Sequence, residues 1–208
     1  MNPNDQPTDF KINKRDLQLN PTEGLVLSEA LSKVLNKYND KRVLVVGPPC
    51  SGKSTLLQHI ENGVDMDIVF DTMPEDFKRH VLHHEYPFMF VDGDRETVKY
   101  TEKPFDSDKL DHQEYLASTT QLLQDYISSN LTIIPGHPVF GTSVIDADVI
   151  IHMVLSDEAL DARLETRNRK THRTLQRDRV YAIKKLIEQD IFEAQNKGVI
   201  VEEFHVDK

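Results

Sequence analysis

The chain has 208 residues, enough to bury a sizeable core within one domain. Apolar residues make up 38% and charged residues 29%, which excludes wholesale disorder. Lys and Arg number 25 against 35 Asp and Glu, so the net charge of −10 disfavours nucleic acid and anionic membrane surfaces as partners. The single cysteine excludes an internal disulfide framework.

Neither a membrane span nor a secretory signal is visible in the sequence. No run approaches the roughly 18 apolar residues of a membrane helix, and the polar N-terminus lacks a basic segment followed by an apolar one. We therefore expect a cytoplasmic protein with no membrane partner.

Residues 1–25 lack periodicity and are interrupted by prolines, which predicts a flexible N-terminal arm. The remainder, 26–208, is predicted to be a single domain. Apolar residues recur at helical spacing from Leu27 to Tyr38, which predicts an amphipathic helix. This helix packs either on its own sheet or on a second copy of the chain, so a homodimer is one of two alternatives.

Short apolar runs alternate with helical segments over the rest of the chain. They lie at 43–46, 68–70, 131–134, 149–155 and 199–201. Runs without polar alternation indicate strands that are buried on both faces, as in a parallel sheet. The pattern predicts an α/β fold of three layers, a mainly parallel five-stranded sheet with helices on both faces.

Residues 85–108 are the least regular part of this pattern and are predicted to form an insertion. The apolar run 88–91 is either a further strand or half of a hairpin. The hairpin alternative rests on Asp92-Gly93, a strong two-residue turn signal, and on residues 97–100 as the returning strand.

A phosphate-binding motif follows the first apolar run. Residues 47–54 satisfy G-x-x-x-x-G-K-[ST] and lie between that run and a predicted helix at 54–61, the context that the motif requires. Glycines let the backbone curl so that its N–H groups point at phosphate oxygens. The predicted nucleotide-binding residues, named here the phosphate loop, are Gly47, Pro48, Pro49, Cys50, Ser51, Gly52, Lys53, Ser54 and Thr55.

Two side chains of the phosphate loop have predicted roles of their own. We expect Lys53 to be exposed in the empty site and to reach the β- and γ-phosphates of ATP. The Ser54 hydroxyl is placed to ligate Mg²⁺.

With this loop, the chain resembles the compact P-loop kinases, which include nucleoside monophosphate kinases, shikimate and gluconate kinases and uridine kinase-like enzymes. Beyond the loop, the matching residues are Asp71 after the second apolar run, Gly136 after the third, and Arg163 and Arg167 after the fourth. The resemblance spans roughly 42–205 and implies a P-loop NTPase fold and transfer of the γ-phosphate of MgATP. Residues 133–140 are most similar to the uridine kinase-like branch, which implies a nucleoside acceptor, although Pro135 stands where that branch has an acidic residue.

Two acids are candidates for the magnesium-side carboxylate. Asp71 follows the run 68–70, and Asp92 follows the run 88–91. An acid at the carboxyl end of a parallel strand faces the crevice where ligands bind, and there it holds Mg²⁺ or accepts the hydroxyl proton of the acceptor. Asp92 has a competing explanation in the hairpin turn. Asp71 is therefore preferred, although an acid that caps the next helix is an alternative for it.

Basic residues crowd the stretch 163–179 of this otherwise acidic chain. The resemblance implies that arginines on a mobile lid at 168–178 stabilise the charge of the transferring phosphoryl group. Arg163 and Arg167 are four residues apart and share one helix face, and Arg173 falls within the predicted lid. The alternative is a solvated basic surface that pairs with neighbouring acids.

The histidines give weaker signals. His80, His83 and His84 recur at helical spacing, but without a second set of ligands a solvated helix surface is favoured over a zinc site. His137 lies near the acceptor or caps a turn.

The sequence therefore predicts a P-loop small-molecule kinase with ATP and Mg²⁺ as cofactors. Its acceptor is a small hydroxylated or phosphorylated molecule that binds near Asp71 and the insertion at 85–108. Two alternatives are a nucleoside monophosphate kinase and a nucleotide switch or ATPase without a small-molecule acceptor.

Overall fold

The computed structural model describes residues 21–71, 89–91, 98–100, 125–170, 175 and 177–207. The helices are α1 (Pro21–Leu35), α2 (Lys53–Leu57), α3 (Ile68–Asp71), α4 (Asp157–Lys170) and α5 (Arg177–Asn196). The strands are β1 (Val43–Val46), β2 (Val64–Asp65), β3 (Met89–Val91), β4 (Val98–Tyr100), β5 (Val139–Gly141), β6 (Val149–Val154) and β7 (Ile200–His205). A 3-10 turn, Asn36–Tyr38, follows α1, and residues 125–130 are also helical.

Five strands form one parallel sheet in the order β2-β5-β1-β6-β7. The α/β class and the five-stranded parallel sheet are therefore confirmed. β1 is the central strand, and all four of its side chains are buried, because it has neighbours on both edges and helices on both faces. All five strands point the same way, so their carboxyl ends lie along one edge of the sheet, named here the carboxyl edge.

The two faces of the sheet bury separate sets of apolar side chains. On the face of Val43 and Val45, the helices α1, α2 and α4 contribute Leu31, Leu56 and Leu160. On the face of Leu44 and Val46, α3, residues 125–130 and α5 contribute Val69, Ile127 and Ile187. Helices thus cover both faces, as predicted. Within the described part of the chain, no helix has both the length and the apolar character needed to cross a membrane.

The second apolar run, 68–70, is a helix and not the predicted strand. It forms α3, in which Val69 is 3% exposed and Ile68 is 38% exposed. The run thus buries one side only, as a helical turn does and a strand inside a parallel sheet does not. The strand is β2, just ahead, which pairs with β5. Asp71 therefore ends a helix, and the residue that ends the strand is Asp65.

The third apolar run, 131–134, is likewise not the third strand. Ile134 makes an isolated bridge to His137 across a turn in which Gly136 has a φ of +78°. Pro135 has no N–H to donate to a strand neighbour, so the run ends before it joins the sheet. The strand is β5, and Gly136 lies ahead of it instead of closing it.

The run at 88–91 belongs to a hairpin. β3 pairs with β4 in antiparallel register, Met89 opposite Tyr100 and Val91 opposite Val98, as a two-stranded sheet of its own. The hairpin alternative is therefore correct, and the run does not join the parallel sheet. Asp92 lies outside the described residues.

The described residues include parts of the predicted arm and of the predicted lid. α1 begins at Pro21, inside the stretch 1–25 that was predicted as an arm. At the predicted lid, 168–170 belong to α4 and 177–178 to α5, and no separate lid is seen in the described residues. Leu175 packs against the core. Its backbone N–H donates to Asn168 Oδ1 at 2.9 Å, and its carbonyl accepts a hydrogen bond from Asn168 Nδ2 at 3.0 Å. Leu175 is thus an apolar anchor within the predicted lid.

His152 provides a test of this packing through pH. It lies on β6 between Val46 and Glu203 and is half-buried on the α5 face. Burial lowers the pKa of His152 below 6.5; Glu188 and Glu203 oppose this shift, whereas Lys184 and His205 add to it. The neutral form is thus favoured in the folded protein, and the resulting stability is present above pH 6.5 and lost as the pH falls below it.

We expect His152→Gln to lose less stability than the wild type between pH 7 and pH 5, measured by urea unfolding at each pH. His59→Gln, at an exposed histidine, is the control and should follow the wild type. Parallel curves for His152→Gln and the wild type would contradict the assignment.

Candidate functional site

The phosphate loop leaves the carboxyl end of β1 and enters α2. The Gly47 N–H donates to the Gly141 carbonyl of β5 at 3.3 Å. A Cβ at position 47 would lie 2.9 Å from Ser51 Oγ, so the loop closes on itself too tightly for a side chain there. Cys50 and Gly52 have φ values of 68° and 98°, the left-handed conformation that turns a chain sharply. The strand, curled loop and helix that the motif requires are all present.

Lys53 folds back over the loop that precedes it. Its ammonium donates to the carbonyls of Gly47 at 2.7 Å and Pro48 at 2.8 Å, and to Ser51 Oγ at 3.2 Å. The expectation that Lys53 is exposed in the empty site is therefore wrong: it is half-buried, because the carbonyls of Gly47 and Pro48 hold its ammonium against the loop. Burial lowers the pKa of Lys53 to about 8, and the charges of Asp67 and Asp65 oppose this shift.

The helix α4 brings two arginines to the loop. Arg163 donates from Nη1 to the Ser51 carbonyl at 3.0 Å and from Nη2 to the Val206 carbonyl at 2.8 Å. Arg167, one turn later on the same helix face, places Nη1 3.9 Å from Cys50 Sγ. Its charge also contributes to the lowered pKa of Lys53. The structure thus places Lys53 near Arg163 and Arg167, which lie more than a hundred positions later in the sequence.

The strand end that the sequence assigned to Asp71 is occupied by another acid. Asp71 is the last residue of α3, whereas Asp65 ends β2 at the carboxyl edge and Asp67 follows it. Asp65 Oδ1 accepts the backbone N–H of Asp67 at 3.0 Å, which fixes a tight turn after the strand. Both charges act on Lys53, that of Asp67 more than that of Asp65. Sequence reasoning missed this pair, because a two-residue strand shows no periodicity.

Gly136 and His137 lie at the edge of the sheet opposite the loop. β5 runs parallel to β1, so residues ahead of β5 lie at the amino edge and residues after it at the carboxyl edge. His137 is exposed there, with Nδ1 3.3 Å from the Pro135 carbonyl. It belongs to a turn and not to the surroundings of the phosphate loop.

The other predicted site residues fall into two groups. Ser54 is exposed at the start of α2, and Thr55 is buried behind it against α1, where a Cβ on Gly24 would lie 2.8 Å from Thr55 Cγ2. The remaining ones lie outside the described residues: Asp92, Arg173, His80, His83 and His84.

The oxygen groups near the loop suit a magnesium ion. Mg²⁺ is usually held by one or two carboxylates together with waters and substrate phosphates. The exposed Ser54 hydroxyl and the carboxylates of Asp65 and Asp67 are groups of this kind. In the described ranges, no three His, Cys, Asp or Glu side chains cluster as a metal site.

No protein-family model, curated protein or solved structure matches the chain. Its function is therefore inferred from the motif and from the geometry around it.

Proposed function

We propose that the chain is a P-loop kinase, an ATP-dependent phosphotransferase that moves the γ-phosphate of MgATP to a small hydroxylated or phosphorylated acceptor. The observation that carries the proposal is the convergence of Lys53 and Arg167 on one curled loop at the carboxyl edge. Two acids, Asp65 and Asp67, act on the same ammonium. Positive groups around a phosphate site and a nearby carboxylate are the parts that phosphoryl transfer uses.

Each residue has a role that follows from its place. The loop N–H groups and Lys53 bind the β- and γ-phosphates, and Arg167 stabilises the charge that spreads over the γ-phosphoryl oxygens. Ser54 with Asp65 or Asp67 would hold Mg²⁺, which neutralises phosphate charge when it is bound. Either acid is also placed to accept the hydroxyl proton of the acceptor.

We do not restrict the proposed acceptor to a nucleoside, although the sequence resemblance implied one. The residues that resemble the uridine kinase-like branch include Gly136 and His137, which lie at the opposite edge of the sheet from the loop. They therefore give no support to a nucleoside over a nucleoside monophosphate or a sugar.

The test is the rate of ADP release from MgATP with a panel of nucleosides, nucleoside monophosphates and sugars. We expect at least one acceptor to stimulate ADP release and to appear as its phosphorylated product, with no product when EDTA replaces Mg²⁺. ATP hydrolysis that no acceptor stimulates would indicate a switch or an ATPase instead. Absence of both hydrolysis and transfer would contradict the proposal.

The lowered pKa of Lys53 predicts how MgATP affinity depends on pH. Phosphate oxygens attract the protonated amine, and the ligand-free protein loses that proton as the pH rises through about 8. We expect the affinity to be constant from pH 6.5 to 7.5 and to fall by up to about tenfold per pH unit above 8, because one proton is linked to binding. Isothermal titration at each pH measures this.

Lys53→Arg is the matched control, since arginine keeps its proton throughout this range. Its affinity should stay flat with pH. The same decline in Lys53→Arg as in the wild type would show that another group titrates.

A further inference from the structure

The carbonyls of the phosphate loop need donors, because a loop that turns its N–H groups inward turns its C=O groups outward. Several are satisfied locally. The Lys53 ammonium donates to the carbonyls of Gly47 and Pro48. The Gly52 carbonyl accepts hydrogen bonds from the N–H groups of Thr55 and Leu56. Ser51 is fully buried, and its carbonyl receives a donor from another element, the Arg163 guanidinium.

The same guanidinium also holds the end of the chain. Its second nitrogen donates to the carbonyl of Val206, the residue after β7, whose own N–H extends the pairing of β7 with β6 by donating to Val154 at 3.0 Å. The next residue, Asp207, accepts the N–H of Ser156 just ahead of α4. Arg163 thus connects three elements: the loop, α4 and the C-terminal strand.

The two arginines of α4 therefore have different surroundings. Two Arg163 donors are directed to backbone carbonyls, whereas the Arg167 guanidinium contacts a side chain of the loop, with Nη1 3.9 Å from Cys50 Sγ. The planar fork of a guanidinium directs two different nitrogens at two separate acceptors, whereas all the donors of an ammonium leave a single nitrogen. A buried carbonyl that loses a charged donor is costly.

We propose that Arg163 is a positioning residue: it holds the phosphate loop in its binding conformation through the Ser51 carbonyl and anchors it to the C-terminal strand through the Val206 carbonyl. Arg167 is the arginine that acts on the transferring phosphoryl group. The effect on ATP rests on the proposed function, whereas the effect on the loop does not.

The loop is tested first without ligand, by amide hydrogen exchange. We expect Arg163→Ala to speed exchange about tenfold in residues 47–55 and 204–207, because both lose a charged hydrogen bond. Arg163→Lys should restore part of the protection, since a lysine keeps the positive charge but loses the planar fork. Arg169→Ala is the control, an exposed arginine of the same helix that pairs with Glu165, and should leave both segments unchanged. Unchanged exchange in Arg163→Ala would overturn the proposal.

The second readout separates positioning from catalysis. Arg163→Ala should weaken MgATP affinity about tenfold and change turnover at saturating MgATP by less than about threefold. Arg167→Ala should lower turnover with a smaller loss of affinity. If Arg163→Ala binds MgATP as tightly as the wild type and lowers turnover as much as Arg167→Ala does, Arg163 is catalytic and the proposal is wrong. If Arg163→Ala does not fold, the same comparison of MgATP affinity with turnover is made on Arg163→Lys. Wild-type protein that binds no nucleotide, with the exchange results as expected, would refute the kinase assignment and leave the role of Arg163 standing.

Discussion

Lys53→Ala is expected to lower phosphoryl transfer from MgATP by at least about three orders of magnitude. Its ammonium is seated inside the phosphate loop, within hydrogen-bond distance of two loop carbonyls and Ser51 Oγ. A positive group fixed at this place stabilises the charge of the γ-phosphoryl group as it transfers, and such preorganised charges are usually the largest contribution to catalysis. Initial rates at saturating MgATP measure the effect.

The fold should survive this change, because burial disfavours the charged form of Lys53 and lowers its pKa to about 8. Circular dichroism and thermal unfolding check this. Lys37→Ala is the matched control, since Lys37 is an exposed lysine that pairs with Glu202 on the surface, and it should keep wild-type turnover. A folded Lys53→Ala variant within tenfold of the wild-type rate would contradict the role of the loop.

Replacing either acid at the end of β2 is expected to lower turnover more than a change of any other carboxylate among the described residues. Asp65→Asn and Asp67→Asn should each lower turnover by about two to four orders of magnitude, the usual contribution of a positioned acid or base. Asparagine keeps a side-chain oxygen, so Asp65→Asn can still accept the Asp67 N–H and preserve the turn. The loss would then come from the charge. Turnover and its dependence on Mg²⁺ concentration are the measurements.

Asp71→Asn is the comparison for this pair, because it removes the same charge from the last residue of α3. We expect it to retain turnover within a few-fold of the wild type. Normal rates in Asp65→Asn and Asp67→Asn, together with a large loss in Asp71→Asn, would show that the sequence had named the right acid and that the strand end carries no catalytic group.

The central features of the fold were predictable from patterns that extend over many residues. The apolar run of β1, the glycines and lysine of the loop and the helix after it follow one another without interruption, so each supports the others. β6 is six residues long, enough for its apolar character to indicate a strand. The four-residue spacing of Arg163 and Arg167 likewise predicted that both share one face of α4.

The errors fall on short runs whose state depends on tertiary neighbours. Three apolar residues at 68–70 fit a strand or a single helical turn equally well, and β2 has only two residues, Val64 and Asp65. The choice is made by β5, which β2 pairs with and which lies more than seventy positions later. Misplacing β2 put Asp71 at the end of a strand, a position that Asp65 occupies in the structure.

The separate roles that we propose for the two arginines were also beyond the sequence. The acceptors of Arg163, the carbonyls of Ser51 and Val206, are 112 and 43 residues away along the chain. They are backbone groups, so no side-chain pattern marks them. Spacing alone therefore grouped Arg163 with Arg167 as a catalytic pair, although its hydrogen bonds are those of a structural contact.

The most direct measurement of nucleotide binding at the phosphate loop is an NMR titration of ¹⁵N-labelled protein with a non-hydrolysable ATP analogue and Mg²⁺. We expect saturable amide shifts concentrated in residues 47–55 and in the turn at 65–67, with residues 134–138 at the opposite edge of the sheet unaffected. The same titration of Lys53→Ala should need a much higher analogue concentration. Saturable shifts at 134–138 with none in the loop, or no shifts at millimolar analogue, would contradict the account.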